Sequence, residues 1–355
     1  MATQINIKLF NKVTLREKTL FTRSLSTMIS AGLPIVRALT ILSKQTTNVA
    51  MRDVVEDVIK RLEEGEPLSS AFSHHPRVFN EVYIASLKAA EASGKFEQVL
   101  EQLADQQEKD YKLNSSIKSA MAYPLFIVAA MIVAGAVLLM MVIPKLEEVF
   151  KDSNMALPWT TQALIATANF LLTSWYIIII IIVALILWAR YYARTDNGRF
   201  VVGKILISAP LLKDFYINVY MAKFSVTFSM LVSSGVPIIQ AIKLVGSVMG
   251  NAVYEKYMKK VSGQLERGVP MSVPLAEASE FPPIVSQMIA VGEQTGKVDE
   301  ILLTLARLFQ DETDKKVKSL TSLLEPILLI IVGLGVGTIV FSIIIPIYQI
   351  SGNLS

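Results

Sequence analysis

The chain states one pattern twice. Ser30-Ala31-Gly32-Leu33-Pro34 returns as Ser233-Ser234-Gly235-Val236-Pro237, and Gly65-Glu66-Pro67-Leu68-Ser69 returns as Gly268-Val269-Pro270-Met271-Ser272. Glu91-Ala92-Ser93-Gly94-Lys95 returns as Glu293-Gln294-Thr295-Gly296-Lys297. Gly235 follows Gly32 by 203 residues and Gly296 follows Gly94 by 202, so one residue is lost between the second motif and the third. Each copy then ends in an apolar stretch bounded by prolines, Pro124 to Pro144 and Pro326 to Pro346. A long unit that carries its own apolar anchor and occurs twice predicts a two-lobed membrane scaffold.

With 355 residues, 52% hydrophobic and 18% charged, the chain is too apolar for an ordinary soluble protein and too charged for a wholly embedded one. Charge-free windows at 125–143, 171–189 and 327–345 are each 19 residues long. At about 1.5 Å per helical residue, each comes close to crossing a ~30 Å hydrocarbon core, and flanking residues supply the remainder. The β-branched run at 177–182 has strand character, but lipid offers no partner to an open strand edge, so the window is read as a helix. The first twenty residues are polar and do not read as a cleavable signal. The absence of cysteine removes disulfide and thiolate chemistry and suits a reducing compartment. A net charge of +4 without a basic block gives no nucleic-acid surface.

Basic residues set the orientation. Lys109, Lys112 and Lys118 precede the first window, Arg190, Arg194, Arg199 and Lys204 follow the second, and Lys315, Lys316 and Lys318 precede the third. The intervening loop offers only Lys145 and Lys151 against Glu147, Glu148 and Asp152. The positive-inside rule therefore places both lobes in the cytoplasm and the loop and C-terminus outside, with Trp159, Trp175 and Trp188 as interfacial anchors. Two anchors running the same way need a return helix between them, so the repeat is parallel and the second span has no counterpart. The expected order is an N-terminal segment 1–13, a helical domain 14–124, a span 125–143, a loop 144–170, a span 171–189, a second helical domain 190–326, a span 327–347 and a tail 348–355.

Both lobes read as all-α bundles of six helices. Thr14 and Glu17 form a capping box ahead of apolar residues at helical spacing. Gly32 ends that helix and Pro34 suits the first turn of the next. Asn48 caps a third helix closed by Gly65, Pro67 restarts the chain, and further helices run over 80–93 and from Phe96 into the first span. The second lobe repeats this from about Val219, with turns at Gly235, Pro237, Gly268, Pro270 and Gly296. The recurring glycines and prolines are read as turn geometry. Glu91 and Glu293 admit two readings: a cap or salt bridge inside the bundle, or a carboxylate on a docking face.

The chemistry of an enzyme is missing. His74 and His75 are the only histidines, adjacent in a Ser/Pro-flanked loop without metal-ligand spacing, and no nucleotide motif appears. The run 333–337 lacks the Lys-Ser/Thr of a phosphate loop. Its Gly333 and Gly337, like the milder pair Ala130 and Ala134, permit close helix approach. No ionisable residue lies within a window, which opposes an ion pathway. Glu325-Pro326 stands where the first copy has Tyr123-Pro124, and both prolines are expected to kink a helix between lobe and span. Glu325 is either a snorkelled rim charge or a polar contact at the mouth of a groove for a partner's membrane helix.

The duplicated Ser-x-Gly-[Leu/Val]-Pro with its following Ala38 and Ala241, Gly-x-Pro-[Leu/Met]-Ser, Glu-x-[Ser/Thr]-Gly-Lys and two proline-bounded spans closely resemble the inner-membrane platform family. That family serves type II secretion, as its F component, and type IV pilus assembly. The likeness runs from about Leu15 to the C-terminus. Many members carry a longer region ahead of the first bundle, whereas this bundle begins by about Thr14. The resemblance implies no cofactor, no metal and no catalysis. It implies cytoplasmic lobes that engage a hexameric secretion or pilus ATPase, and a membrane part that meets pilin or pseudopilin subunits, alignment proteins and a further copy of itself. The location it implies is a bacterial inner membrane. A small transporter or channel and a regulatory membrane scaffold are the alternatives.

Overall fold

The structure, a computed structural model, describes residues 12–152, 159–210 and 212–353. Residues 1–11 of the expected N-terminal segment, 153–158 of the loop and the last two of the tail lie outside them. Every regular element among the described residues is helical. The first copy supplies α1 (Leu15–Ser30), α2 (Ile35–Gln45), α3 (Val49–Glu63), α4 (Leu68–Ser73), α5 (Glu81–Ser93) and α6 (Phe96–Asp152). Next come α7 (Trp159–Tyr192) and α8 (Asp196–Ser208). The second copy supplies α9 (Lys213–Ser233), α10 (Ile238–Val248), α11 (Ala252–Leu265), α12 (Ser272–Ala276), α13 (Pro283–Thr295) and α14 (Val298–Asn353), matching α1 to α6 one for one.

Local chemistry sets the boundaries. Thr14 Oγ1 accepts the Glu17 amide at 3.2 Å while Glu17 Oε2 accepts the Thr14 amide at 2.7 Å, closing both donors of the first turn. Asn48 and Asn251 cap α3 and α11 through their side-chain oxygens. After α1, Gly32 at φ +82° lets the Leu33 amide reach the Met28 carbonyl at 3.0 Å; after α9, Gly235 at φ +89° does the same for Val236 and Leu231 at 2.9 Å. These left-handed turns satisfy carbonyls that the helix end leaves open. Pro34 stands one place earlier than expected, at the N-cap of α2, where its extended ψ of 140° turns the chain into the helix.

The two other repeated motifs meet each other. In the first lobe Glu91, near the end of α5, accepts the Ser69 amide at 3.0 Å and the Ser69 hydroxyl, both at the start of α4. In the second lobe Glu293 on α13 accepts the Met271 amide at 2.5 Å, the Ser272 amide at 3.3 Å and the Ser272 hydroxyl at 2.6 Å. A half-buried carboxylate thus caps a short helix that has too few turns to stabilise itself. The residue lost between copies falls in the loop after this helix: Phe72 and Phe79 bracket six residues, Leu275 and Phe281 five.

One compact unit holds residues 1–115 and 199–316, hence both lobes. Its core runs continuously from Phe21, Leu25, Phe72, Phe79 and Tyr83 to Phe224, Phe228, Tyr254 and Phe281. A second unit holds residues 116–198 and 317–355, hence the apolar parts of α6, α7 and α14. There the arrangement is inverted: Leu125, Phe126, Ile180, Trp188, Leu329 and Phe341 are exposed. Side chains of this kind on the outside of a helix are those of a lipid-facing surface. The helices α6 and α14 pass through Pro124 and Pro326 without a break. The described part of segment 144–170 is also helical, because the end of an apolar window marks where lipid would stop and not where backbone bonding must. By length and composition α9 could also cross a membrane, but half of its apolar stretch is buried in the first unit, so it is a core helix.

Removing a carboxylate that accepts amides at a helix start leaves those donors half-buried and unpaired, at a cost of about 1–3 kcal/mol. Glu91→Ala and Glu293→Ala are each expected to lower the apparent Tm of the purified protein by several degrees. A Tm unchanged by both would show that the carboxylate clamps do not hold the short helices.

Candidate functional site

His74 and His75, the nearest approach to catalytic side chains in the sequence, join a surface network in the first lobe. His75 Nε2 lies 2.9 Å from Asp57 Oδ2, His74 Nε2 lies 3.0 Å from Glu66 Oε1, and Arg61 bonds Asp57 at 2.8 Å. The Arg61 bond, above all, holds the Asp57 carboxyl below its ordinary range. Among the described residues no cluster of His, Asp or Glu has the makings of a metal site.

The lobe junction is polar at its edges. Gln106 Nε2 on α6 donates to Thr227 Oγ1 at 3.3 Å, Ser233 Oγ donates to Gln102 Oε1 at 3.2 Å, and Ser247 Oγ donates to Glu81 Oε2 at 3.0 Å. Three charges converge nearby: Lys18 from α1, Asp110 from α6 and Lys223 from α9. Lys18 Nζ stands 5.8 Å from the Phe79 ring centre and 5.6 Å from that of Tyr83. Burial lowers the Lys18 ammonium to about 8 against the pull of Asp110, and lowers that of Lys223 in the same way. Burial raises the Asp110 carboxyl, opposed by Lys223 and Lys18. Asp110 nevertheless keeps an exposed edge and both lysines are half-buried, so the site is a crevice ringed by protein and not a dry core. No local pattern announces this trio, because each member comes from a different helix.

Within the second unit, a cleft of about 550 Å³ opens between α6 and α14. Ser116, Tyr123 and Pro124 line one wall, and Lys318, Thr321 and Glu325 the other. Tyr123 and Glu325, equivalent positions of the repeat, therefore face a common space. Lys315 is paired with Glu312 and Lys316 with Asp214, while Lys318 and Glu325 have no ion-pair partner among the described residues. Deeper in, Gly335 faces Met131 Sδ, which would lie 4.0 Å from an added Cβ. At Gly333 and Gly337 an added Cβ meets nothing within 4 Å among the described residues. The close approach of α6 to α14 thus falls between the two glycines that the pattern singled out.

The remaining marked residues are turns. Gly65 and Gly268 end α3 and α11 at φ +91° and +81°, and Gly94 and Gly296 end α5 and α13 at +72° each. Pro67 and Pro237 are N-caps of α4 and α10, and Pro270 precedes Met271 at the N-cap of α12.

Comparison with known proteins follows the same twofold division. The family described as "Type II secretion system (T2SS), protein F" matches residues 21–144 and again 224–346. The type IV pilus assembly protein PilC of Thermus thermophilus is 34% identical over 342 residues, covering 96% of this chain and 84% of its own. PilC of Myxococcus xanthus is 34% identical over 350 residues, covering 99% and 84%. The type II secretion system protein F of Xanthomonas campestris is 29% identical over 335 residues, covering 94% and 82%. The matched segments contain both copies of every turn and clamp described above, and the chain belongs to the type II secretion F and type IV pilus assembly family of membrane proteins.

Proposed function

We propose that the chain is the non-enzymatic inner-membrane platform that couples a cytoplasmic hexameric ATPase to the extraction and polymerisation of pilins or pseudopilins. The observation that carries this reading is the continuity of α6 and α14, each of which begins in a lobe and continues unbroken into an apolar anchor. A helix transmits an axial push or a twist far better than a loop does, so force applied to the lobes reaches the bilayer. The lobes have one core and act as one body, which suits a part that is moved by a partner. Domains 14–124 and 190–326 lie in the cytoplasm in this reading, 144–170 and the tail lie outside, and copies of the platform associate. The open faces at Gly333 and Gly337 and the cleft beneath Glu325 receive a partner's membrane helix, and alignment proteins complete the assembly.

Three measurements test the reading. Fusions of a reporter active only outside the membrane are expected to give signal at Asn154 and Asn353 and none at Asn251; the reverse pattern would remove the cytoplasmic lobes. Loss of the gene is expected to abolish surface fibres or secretion. Gly337→Leu, introduced on the open helix face, is expected to depress both by at least about tenfold while leaving the protein folded and membrane-inserted. Transport of a solute by the purified protein alone would favour a channel instead.

Burial of the charged trio makes the stability of the lobes pH-dependent. Lys18 has a folded pKa of about 8 against an ordinary 10.5, so between these values the unfolded chain holds more protons than the folded one. Stability from this group is therefore lowest below pH 8 and rises as pH climbs toward 10.5. The Tm difference between Lys18→Met and the parent protein is expected to be constant up to about pH 8 and then to shift steadily in the parent's favour. A difference independent of pH would place Lys18 in open water.

A further inference from the structure

α8 has no counterpart among the described residues of the first lobe, and it is apolar on two opposite faces. One face belongs to the second lobe. Ile207 is buried, Phe200 packs against the core, and Asn251 Nδ2 donates to the Gly203 carbonyl at 3.1 Å. A Cβ added to Gly203 would stand 2.4 Å from Asn251 Oδ1, so the helix lies tight against the start of α11. Arg199 adds a bond to Glu255 at 3.3 Å.

Val201, Val202 and Ile205 project the other way. At about 100° per residue these three occupy one arc, centred opposite Gly203 and Ile207. All three are exposed, Ile205 by 58%, and Leu212 just beyond the helix is exposed as well. No acidic residue falls on this arc, and Lys204 at its border has no ion-pair partner among the described residues. A soluble helix does not turn a second apolar stripe to water without a reason.

The path of the chain supplies the reason. The charge-free stretch of α7 ends at Ala189, and only the six residues 190–195 precede α8. Three of them remain helical, adding roughly 5 Å, and a tight turn follows: the Arg194 amide bonds the Tyr191 carbonyl at 3.1 Å and that of Thr195 bonds Tyr192 at 3.0 Å. Thr195 Oγ1 then caps α8 by accepting the Gly198 amide at 3.1 Å. A headgroup layer extends about 5–8 Å beyond the hydrocarbon, so α8 begins at its depth. Arg190, Arg194 and Lys204 are spaced to meet lipid phosphates there.

We infer that α8 is an interfacial helix whose Val201–Val202–Ile205 face is seated in the cytoplasmic leaflet, making the bilayer surface itself a binding partner of the second lobe. The inference rests on the membrane reading of α7 and extends it to a segment that does not cross.

The natural absence of cysteine makes single-site labelling clean. Val202→Cys, Ile205→Cys, Lys259→Cys and Ile182→Cys, each spin-labelled, would be compared in phosphatidylethanolamine–phosphatidylglycerol vesicles, after checking that each variant still supports fibre assembly or secretion. Collision with dissolved oxygen, enriched in lipid, is set against collision with a water-soluble nickel chelate. At Val202 and Ile205 the oxygen-to-nickel ratio is expected to exceed that at Lys259, an exposed position on α11, by at least about fivefold. A ratio equal to that at Lys259 would overturn the inference. So would a label immobilised and shielded from both reagents, since a second copy or another protein would then cover the face. If Ile182 on α7 were itself open to nickel, the membrane reading would fall and the inference with it. Lipid exposure at Ile182 with water exposure at Ile205 would remove the inference alone.

Discussion

The two lobes stay together because α9 has no face to give to water. Between Tyr220 and Leu231 all but Lys223, Val226 and a few flanking atoms are buried, whereas its repeat partner α1 buries residues only at Thr19, Phe21, Thr22, Leu25 and Ser26. The extra burial comes from the first lobe: α9 packs on α5, and its Thr227 and Ser233 bond to glutamines of α6. The two six-helix units are similar and differ at this helix, where α9 has a second apolar side that the first lobe covers. A lobe core alone would leave α9 half apolar in solvent, which is the arrangement that burial at about 25 cal/mol per Å² opposes most strongly.

What was legible in the sequence is what is encoded locally. Gly32, Gly65 and Gly94 with their partners Gly235, Gly268 and Gly296 stand at left-handed turns, and turn chemistry survives duplication because few other residues fit. Charge-free windows mark lipid-facing helices for an equally local reason. The meeting of Glu91 with Ser69 was not legible, although both motifs were, because they lie 22 residues apart and only the packing of α4 on α5 joins them. The Lys18, Asp110 and Lys223 crevice is hidden for the same reason. The helix equivalent to α1 opens at Lys213, six residues ahead of Val219, and α8 lies in the stretch before it. Residues 190–218 have no partner in the first copy, so the repeat offers no template there, and a helix apolar on two sides gives no single-face periodicity.

Clamp and anchor divide the labour between the repeated motifs. The carboxylates of Glu91 and Glu293 point into their own lobes, where they hold the starts of α4 and α12. Other polar residues are left unmatched among the described residues. Lys318 and Glu325 are such residues, seven positions apart on α14 and hence on one helical face, with Tyr123 and Ser116 across the cleft. The mouth of the cleft thus holds one cation, one anion and several hydroxyls.

The unrepeated pair α7 and α8 distinguishes the second copy from the first. α8 follows α7 at once and packs on the second lobe through Gly203 and Asn251. Asn251 does double service there, capping α11 with its oxygen and holding α8 with its amide nitrogen. The first lobe has Asn48 at the same repeat position, also a cap, but its amide nitrogen is bonded to Glu17 at 2.7 Å within its own lobe. One asparagine thus closes a lobe on itself while its copy binds an extra helix. The two halves, alike in fold, therefore differ in surface where α8 lies.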